Sequence, residues 1–154
     1  MHLFEENIKN LGLNIPELPK ALANYVPYKI IGKTMYVSGQ APAQNGEIVY
    51  KGKVGEDISV EHGIEAAKLC VINIIAAVKT GLEEDWDKLD SFVKLTGFVN
   101  CLDNFTEQPT IINGASDLLV DIFGEQGRHA RVAVGSNALP LGISVEIDAI
   151  VQLK

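Results

Sequence analysis

The chain has 154 residues, of which 47% are hydrophobic and 21% charged, a balance typical of one globular domain with a sizeable core. A formal net charge of -7, with no run of lysines or arginines, argues against a nucleic-acid-binding protein. Two cysteines, Cys70 and Cys101, are too few for a disulfide framework or a metal set, so we expect free thiols. The histidines lack metal-ligand spacing, and no apolar run approaches the roughly 18 residues of a membrane span. Without a signal-peptide pattern, the expectation is a cytoplasmic protein that binds no metal and enters no membrane.

The first predicted elements are a short helix and two short strands. Apolar residues at helical spacing predict an amphipathic helix over residues 3–11, which ends at a proline-containing segment. Tyr28–Ile31 and residues 34–38 are predicted strands, joined by a turn at Gly32-Lys33. A long polar loop containing several glycines then leads to the first long helix.

Two long helices and one long strand make up the middle of the chain. A broad apolar face predicts a helix that begins after Ser59, its expected N-cap, and ends near Gly81. Residues 92–99 form the predicted long strand. A second long helix over about residues 107–123 is expected to end at Gly124.

Two strands, over residues 131–135 and 143–153, complete the predicted order β-β-α-β-α-β-β. In the last strand the apolar residues alternate at period two, as in a strand with one buried face. The order predicts an α+β fold, a two-layer sandwich in which a mixed sheet carries two helices on one face. We predict one domain over residues 1–154, with an N-terminal helical extension over residues 1–20. Apolar residues on both sheet faces, with one helix layer, predict self-association.

Two polar residues in the C-terminal strands suggest a binding site. Arg131 begins one strand, and its planar, permanently charged guanidinium suits a small carboxylate. Glu146, inside the next strand, could hold a water molecule or accept its proton. If the two strands pair as neighbours, both side chains could share one cleft. The alternatives are a structural ion pair for Arg131 and a solvated position for Glu146, since Asp148 points the same way.

Four other residues have competing interpretations. Tyr25 either contacts a ligand or is a core or interface aromatic residue. Ser38 either donates a hydrogen bond near a cleft or caps a strand end, and no nucleophile-elbow motif surrounds it. His129, next to Arg131, could titrate near neutral pH or lie at an exposed or interface position. Asp103 could simply cap the second long helix.

Short motifs along most of the chain follow a characteristic order and spacing. They are Tyr25, Gly32, Ser38-Gly39-Gln40 with Pro42, Val93-Lys94-Leu95-Thr96, residues 102–105, Ala130-Arg131, Leu139-Pro140 and Val145-Glu146-Ile147. From about residue 21 to residue 152, this set resembles the RidA family, also called YjgF/YER057c/UK114 and often labelled endoribonuclease L-PSP. The N-terminal helix and the length resemble a longer-chain subgroup.

The resemblance implies a chorismate-mutase-like fold and a homotrimer with active sites in clefts between subunits. The best-known members hydrolyse enamines and imines, such as 2-aminoacrylate and 2-iminobutyrate (2-iminobutanoate), to 2-keto acids and ammonia, with no cofactor. The resemblance assigns carboxylate binding to Arg131 and water positioning to Glu146, and it places Tyr25, Ser38 and Gly39 at the cleft.

Four positions depart from the family's pattern. Asp103 and Ala133, both expected to line the substrate pocket, stand where the deaminases often have asparagine and cysteine. His129 stands where proline is common, and Leu141 replaces a frequent lysine or arginine. The carboxylate anchor is therefore kept in an altered pocket.

Three functions fit the sequence to different degrees. The leading one is a hydrolase that deaminates enamines or imines. The second is a non-catalytic protein that binds a 2-keto acid or regulates through it, which the altered pocket favours. The third, an endoribonuclease, is opposed by the acidic composition.

Overall fold

The computed structural model describes residues 1–18 and 23–154. The helices are α1 (Leu3–Asn10), α2 (Val60–Gly81) and α3 (Gln108–Phe123). The strands are β1 (Tyr28–Ile31), β2 (Thr34–Gln40), β3 (Ala43–Gln44), β4 (Glu47–Ile48), β5 (Leu89–Asn100), β6 (Ala130–Ser136) and β7 (Val145–Leu153). Residues 19 and 20, at the end of the predicted extension, and residue 21, where the family resemblance begins, lie outside the described residues.

The main sheet is mixed and has five strands in the order β1-β2-β7-β5-β6. β5 and β6 run parallel, while β1–β2, β2–β7 and β7–β5 are antiparallel. The predicted α+β fold and the order β-β-α-β-α-β-β of the main elements are confirmed. The predicted long polar loop additionally forms a small hairpin of β3 and β4.

One prediction about the sheet is wrong: the last two strands are not neighbours, because β5 lies between β6 and β7. The physical reason is the connection through α3. A parallel pair needs a long crossover, and α3 supplies it, so β6 returns beside β5 at the edge of the sheet. The other side of β5 is then left for β7.

The core lies between the sheet and the helices α2 and α3. On β7 the alternation is as predicted, because Val145, Ile147, Ala149 and Val151 are buried. Gly97 of β5 faces α3, and a Cβ there would lie only 2.6 Å from the Ile112 side chain. The absence of a side chain at this position therefore lets α3 pack closely on the sheet.

The helix ends follow the sequence signals in part. The Ser59 hydroxyl accepts a hydrogen bond from the His62 backbone N–H at 3.1 Å, so it caps α2 as predicted. Gly124, with a φ of 60°, ends α3 as predicted. Asp103 does not cap α3: the N-cap position is Glu107, which makes no capping side-chain hydrogen bond. The loop after β5 is longer than a cap at Asp103 requires, so this alternative for Asp103 is wrong.

α1 extends the helix layer and is held there by aromatic contacts. The Phe4 ring meets the Phe123 ring edge-on, with 4.9 Å between centroids, and lies 6.1 Å from the Trp86 ring.

In the described part of the chain, no helix is long and apolar enough to cross a bilayer.

The opposite face of the sheet carries apolar side chains and, within the described residues, no helix covers it. Residues in register share a face, so the partners of Phe98 and Tyr36 in neighbouring strands identify this surface. Its large apolar members are Ile31, Tyr36, Phe98, Val132, Val134 and Ile150, of which Ile31, Tyr36, Val132 and Val134 are exposed. We call these six residues the open sheet face. A surface of this kind is typical of proteins that assemble with further copies.

Candidate functional site

Arg131 lies on β6 and points toward the helix layer. It is in register with Leu95, which is buried on that side of the sheet. Its Nη1 donates hydrogen bonds to Asn113 Oδ1 at 2.8 Å and to Ser116 Oγ at 3.3 Å, both on α3. Both acceptors are neutral, and among the described residues no carboxylate lies within salt-bridge distance of this guanidinium. The structural ion pair considered for Arg131 is therefore not formed there.

A surface cavity of about 280 Å³ surrounds this guanidinium. The chain's other arginine, Arg128, also lines it, but its Nε donates to Glu125 Oε1 at 2.8 Å. Asp117 is the acidic residue of the wall. Because Arg128 is already paired, Arg131 supplies the cavity's unneutralised guanidinium.

His129 is partly buried and belongs to the same cavity. Its Nε2 lies 2.9 Å from Ser116 Oγ, and its Nδ1 lies 2.7 Å from the Gly127 carbonyl oxygen. Burial lowers the pKa of His129, and the positive charge of Arg131 lowers it further, against the opposite effect of the Gly127 carbonyl. The lowered pKa favours the neutral imidazole near pH 7. The ring is partly buried, and both of its nitrogens have hydrogen-bond partners.

Sequence reasoning missed Asn113 and Ser116. They lie three residues apart, so they share one face of α3. The helical period assigns the apolar positions of α3 to the core, but it does not say which strand the polar face meets. Only the pairing of β6 with β5 brings Arg131 to this face.

Glu146 lies on the opposite face of the sheet, in register with Phe98 of β5. Burial raises the pKa of its carboxyl, and the nearby Asp148 carboxylate raises it further. A Cβ at Gly39 would lie 3.0 Å from Glu146 Oε2, so the missing side chain leaves room for the carboxylate. Glu146 is partly buried beside Gly39 rather than simply solvated.

Two further predicted site residues are Ser38, which precedes Gly39 on β2, and Tyr25, in the segment to which Ser38 is hydrogen-bonded. The Ser38 hydroxyl donates to the Val26 carbonyl at 2.6 Å, and the Ser38 N–H donates to the Pro27 carbonyl at 2.9 Å. These bonds attach β2 to the segment that carries Tyr25, whose side chain is 53% exposed. Gly39 therefore lies against Glu146, and Ser38 joins this part of β2 to the segment that carries Tyr25.

Arg131 and Glu146 cannot contact the same small ligand within one chain. They pair with Leu95 and Phe98 of β5, whose side chains point to opposite faces of the sheet. The expectation of a shared cleft is thus not met inside a single subunit. A site that contains both residues requires a second copy of the chain.

Asp103 and Ala133 occupy separate places. Asp103 lines another cavity of about 250 Å³, together with Cys101, Gln108 and the end of β6. Arg131 is near the start of β6, and Ser136 lies five positions further along the strand, or roughly 16 Å away at the usual rise per residue. Ala133, between them, is partly buried on the helix side of the sheet. Asp103 and Arg131 of one chain are not brought together.

The described residues contain no group of three or more histidine, cysteine, aspartate or glutamate side chains that could hold a metal ion. Both cysteines in the described part of the chain are buried free thiols, as predicted. The reactive groups at Arg131 and Glu146 are thus a guanidinium on one face of the sheet and a partly buried carboxylate on the other.

Comparison with known proteins identifies the family. A family model described as "YjgF/chorismate mutase-like, putative endoribonuclease" matches residues 5–151. The chain belongs to this family. The YjgF/RidA resemblance and the chorismate-mutase-like fold are thereby confirmed.

Two individual relatives span nearly the whole chain, and a third spans less of it. The crystal structure of Atu1372 from Agrobacterium tumefaciens, a protein of unknown function, has a TM-score of 0.93 and 47% identity, covering 99% of this chain and 93% of that one. Protein TCP17 of Trypanosoma cruzi is 40% identical over 149 residues, which are 96% of this chain and 92% of that protein. A RutC family protein of Aquifex aeolicus is 30% identical over 112 residues, 72% of this chain and 84% of its own length. The similarity to Atu1372 therefore includes the N-terminal helix.

Proposed function

We propose that this protein hydrolyses enamines or imines of small 2-keto acids, such as 2-aminoacrylate and 2-iminobutanoate, to the 2-keto acid and ammonia. The observation that carries the proposal is the unneutralised guanidinium of Arg131, held by two neutral acceptors in an open cavity. A planar, fixed cation binds a carboxylate through two parallel hydrogen bonds. Family membership supports the reaction class.

We propose that the site forms between subunits of a homotrimer. Family members generally form homotrimers. The opposite orientations of Arg131 and Glu146 support this assembly, because Arg131 of one subunit would then act with Glu146 of another. The open sheet face offers apolar surface for the contact. Tyr25, Ser38 and Gly39 would line the cleft on the Glu146 side, and Ala133 and Asp103 would shape it through their own subunits.

The chemistry needs a bound carboxylate and one oriented water molecule. Arg131 binds the substrate carboxylate, which fixes the distance between the imine carbon and the water molecule at Glu146. Glu146 holds the water, accepts one of its protons as the oxygen attacks this carbon, and returns that proton to the imine nitrogen, which gives a carbinolamine. Glu146 then transfers the carbinolamine hydroxyl proton to the same nitrogen. The C=O bond forms as the C–N bond breaks, so ammonia leaves and the 2-keto acid remains. The raised pKa of Glu146 suits a base that accepts and returns a proton near neutral pH.

The test is release of pyruvate and ammonia from 2-aminoacrylate, generated in place by a serine dehydratase. We expect the protein to accelerate release beyond the spontaneous rate and Arg131→Ala to abolish the gain. Arg131→Lys should not restore it, because a lysine lacks the planar fork. Arg128→Ala is the matched control, since Arg128 is paired with Glu125 and should be dispensable.

The remaining function classes are outcomes of the same experiment. Pyruvate binding that depends on Arg131, without acceleration of hydrolysis, would replace the enzyme with a metabolite-binding or regulatory protein. RNA cleavage that is lost in Arg131→Ala, with no deaminase activity, would favour an endoribonuclease. The net charge of -7 opposes that last result.

A further inference from the structure

A chain of hydrogen bonds leads from Arg131 to the backbone and has one direction throughout. The Gly127 carbonyl can only accept, so the His129 Nδ1–H must donate to it over the 2.7 Å separation. In a neutral imidazole, Nε2 then has no hydrogen and accepts from the Ser116 hydroxyl at 2.9 Å. Ser116 Oγ consequently presents its lone pairs to Arg131 Nη1 at 3.3 Å.

This direction matters because a serine hydroxyl can donate or accept. If its hydrogen turned toward the guanidinium, two donors would face each other and the contact would be lost. The His129 acceptor removes the hydrogen from that side. With Asn113 Oδ1 and Ser116 Oγ both accepting from Nη1, the Nε and Nη2 groups have no partner among the described residues. They form the edge that a carboxylate would engage.

We propose that Ser116 and His129 are positioning residues that orient the Arg131 guanidinium for carboxylate binding. The inference rests on the proposed role of Arg131 as a carboxylate anchor. Neither residue touches the ligand; each acts through Arg131.

We call the chain of hydrogen bonds from Arg131 through Ser116 and His129 to Gly127 the relay. The relay needs a neutral imidazole, and the electrostatic surroundings of His129 favour that form. Burial and the Arg131 charge both lower the pKa of His129. Arg128 beside it adds a second cation to the cavity wall, and Asp117 on α3 is the acidic group there. Arg131 therefore has two connections with His129: its charge favours the neutral imidazole, and its guanidinium is the group that the relay positions.

The test measures pyruvate affinity in paired variants of the full-length protein. Ser116→Ala and His129→Leu should each weaken pyruvate binding about two- to tenfold, the range for loss of one hydrogen bond. Ser116→Thr keeps a hydroxyl, and His129→Gln keeps an acceptor near the position of Nε2, so both should bind within about twofold of the unmodified protein. In turnover, KM should rise in the Ala and Leu variants while kcat changes little, because the carboxylate is bound equally in the ground and transition states.

Two matched controls separate this effect from general damage. Ser91→Ala removes a hydroxyl that donates only to Asp90, and His62→Leu removes a histidine that stacks on Tyr50, so both should leave pyruvate binding unchanged. Equal binding by His129→Leu and the unmodified protein would overturn the proposal. So would His129→Gln binding as weakly as His129→Leu, since the acceptor would then be irrelevant.

A second measurement keeps the relay testable if pyruvate does not bind at all. Nitrogen-15 NMR of the free protein reports which ring nitrogen of His129 carries the hydrogen. The relay requires hydrogen on Nδ1 and none on Nε2, and the opposite tautomer would overturn it. Failure of the proposed function appears separately, as pyruvate binding that is absent or indifferent to Arg131→Ala.

Discussion

The two sides of the sheet hold the two halves of the proposed chemistry, and they differ in how they are built. On the helix side, Arg131 is held by Asn113 and Ser116, so one subunit completes this half by itself. On the other side, Glu146 lies beside Gly39 on a face that no described helix covers. Under the proposed function, the first half supplies the anion-binding group within one subunit, and the second half needs a further copy of the chain to meet it.

This difference shows how Arg131 and Glu146 could belong to the same kind of site although they do not contact each other within one chain. A strand alternates its side chains between faces, so the residues of one subunit diverge. A heterologous interface in a cyclic assembly brings unlike surfaces of neighbouring subunits together. If this is how the site forms, binding and catalysis should be separable by mutation.

The largest expected effect comes from separating binding from turnover. Glu146→Gln keeps the size of the side chain but removes its capacity as a base, so kcat should fall about 10²–10⁴-fold, while pyruvate still binds. Arg131→Ala should instead lose pyruvate binding. Calorimetric titration with pyruvate and steady-state assays on both variants measure the contrast. Loss of pyruvate binding in Glu146→Gln equal to that in Arg131→Ala would mean that the two sides do not have different roles.

A smaller but more specific effect is expected when the two inactive variants are combined. In randomly mixed cyclic trimers of Arg131→Ala and Glu146→Gln subunits, about a quarter of the intersubunit sites would receive both natural side chains. Co-expression and refolding should therefore recover about a quarter of the activity, whereas variants mixed without subunit exchange should recover none. A molecular mass near the 16.7 kDa of one chain at micromolar concentration would remove the basis for complementation.

The elements of this fold could be predicted because burial of a strand or helix is a local pattern. Alternating residues on β7 and the apolar stripe on α2 each indicate one face, whichever neighbour covers it. Strand order is not local. β6 and β7 are consecutive strands joined by a short connection, which favours a hairpin, yet the parallel β5–α3–β6 unit places β5 between them.

The same limit explains what sequence reasoning missed around Arg131. Its type and its strand were recognisable, but its partners Asn113 and Ser116 are fixed by which helix packs on that side of β6. For His129 the sequence indicates only a position close to Arg131 and a capacity to titrate. Its role depends on the donor direction set by the Gly127 carbonyl, which no spacing pattern contains.

The smallest expected effect concerns pH and again distinguishes the two sides. Burial and Asp148 raise the pKa of Glu146 above its usual 4.5, and the base must be deprotonated to accept a proton. Activity, as kcat/KM, should therefore be full above this raised pKa and fall as the pH drops through it. Asp148→Asn removes the nearby like charge and should move this acid limb to lower pH by a fraction of a pH unit. Glu56→Gln makes the same change in net charge in an exposed turn and should leave the limb in place. An acid limb that moves equally in both variants would reflect overall charge rather than Glu146.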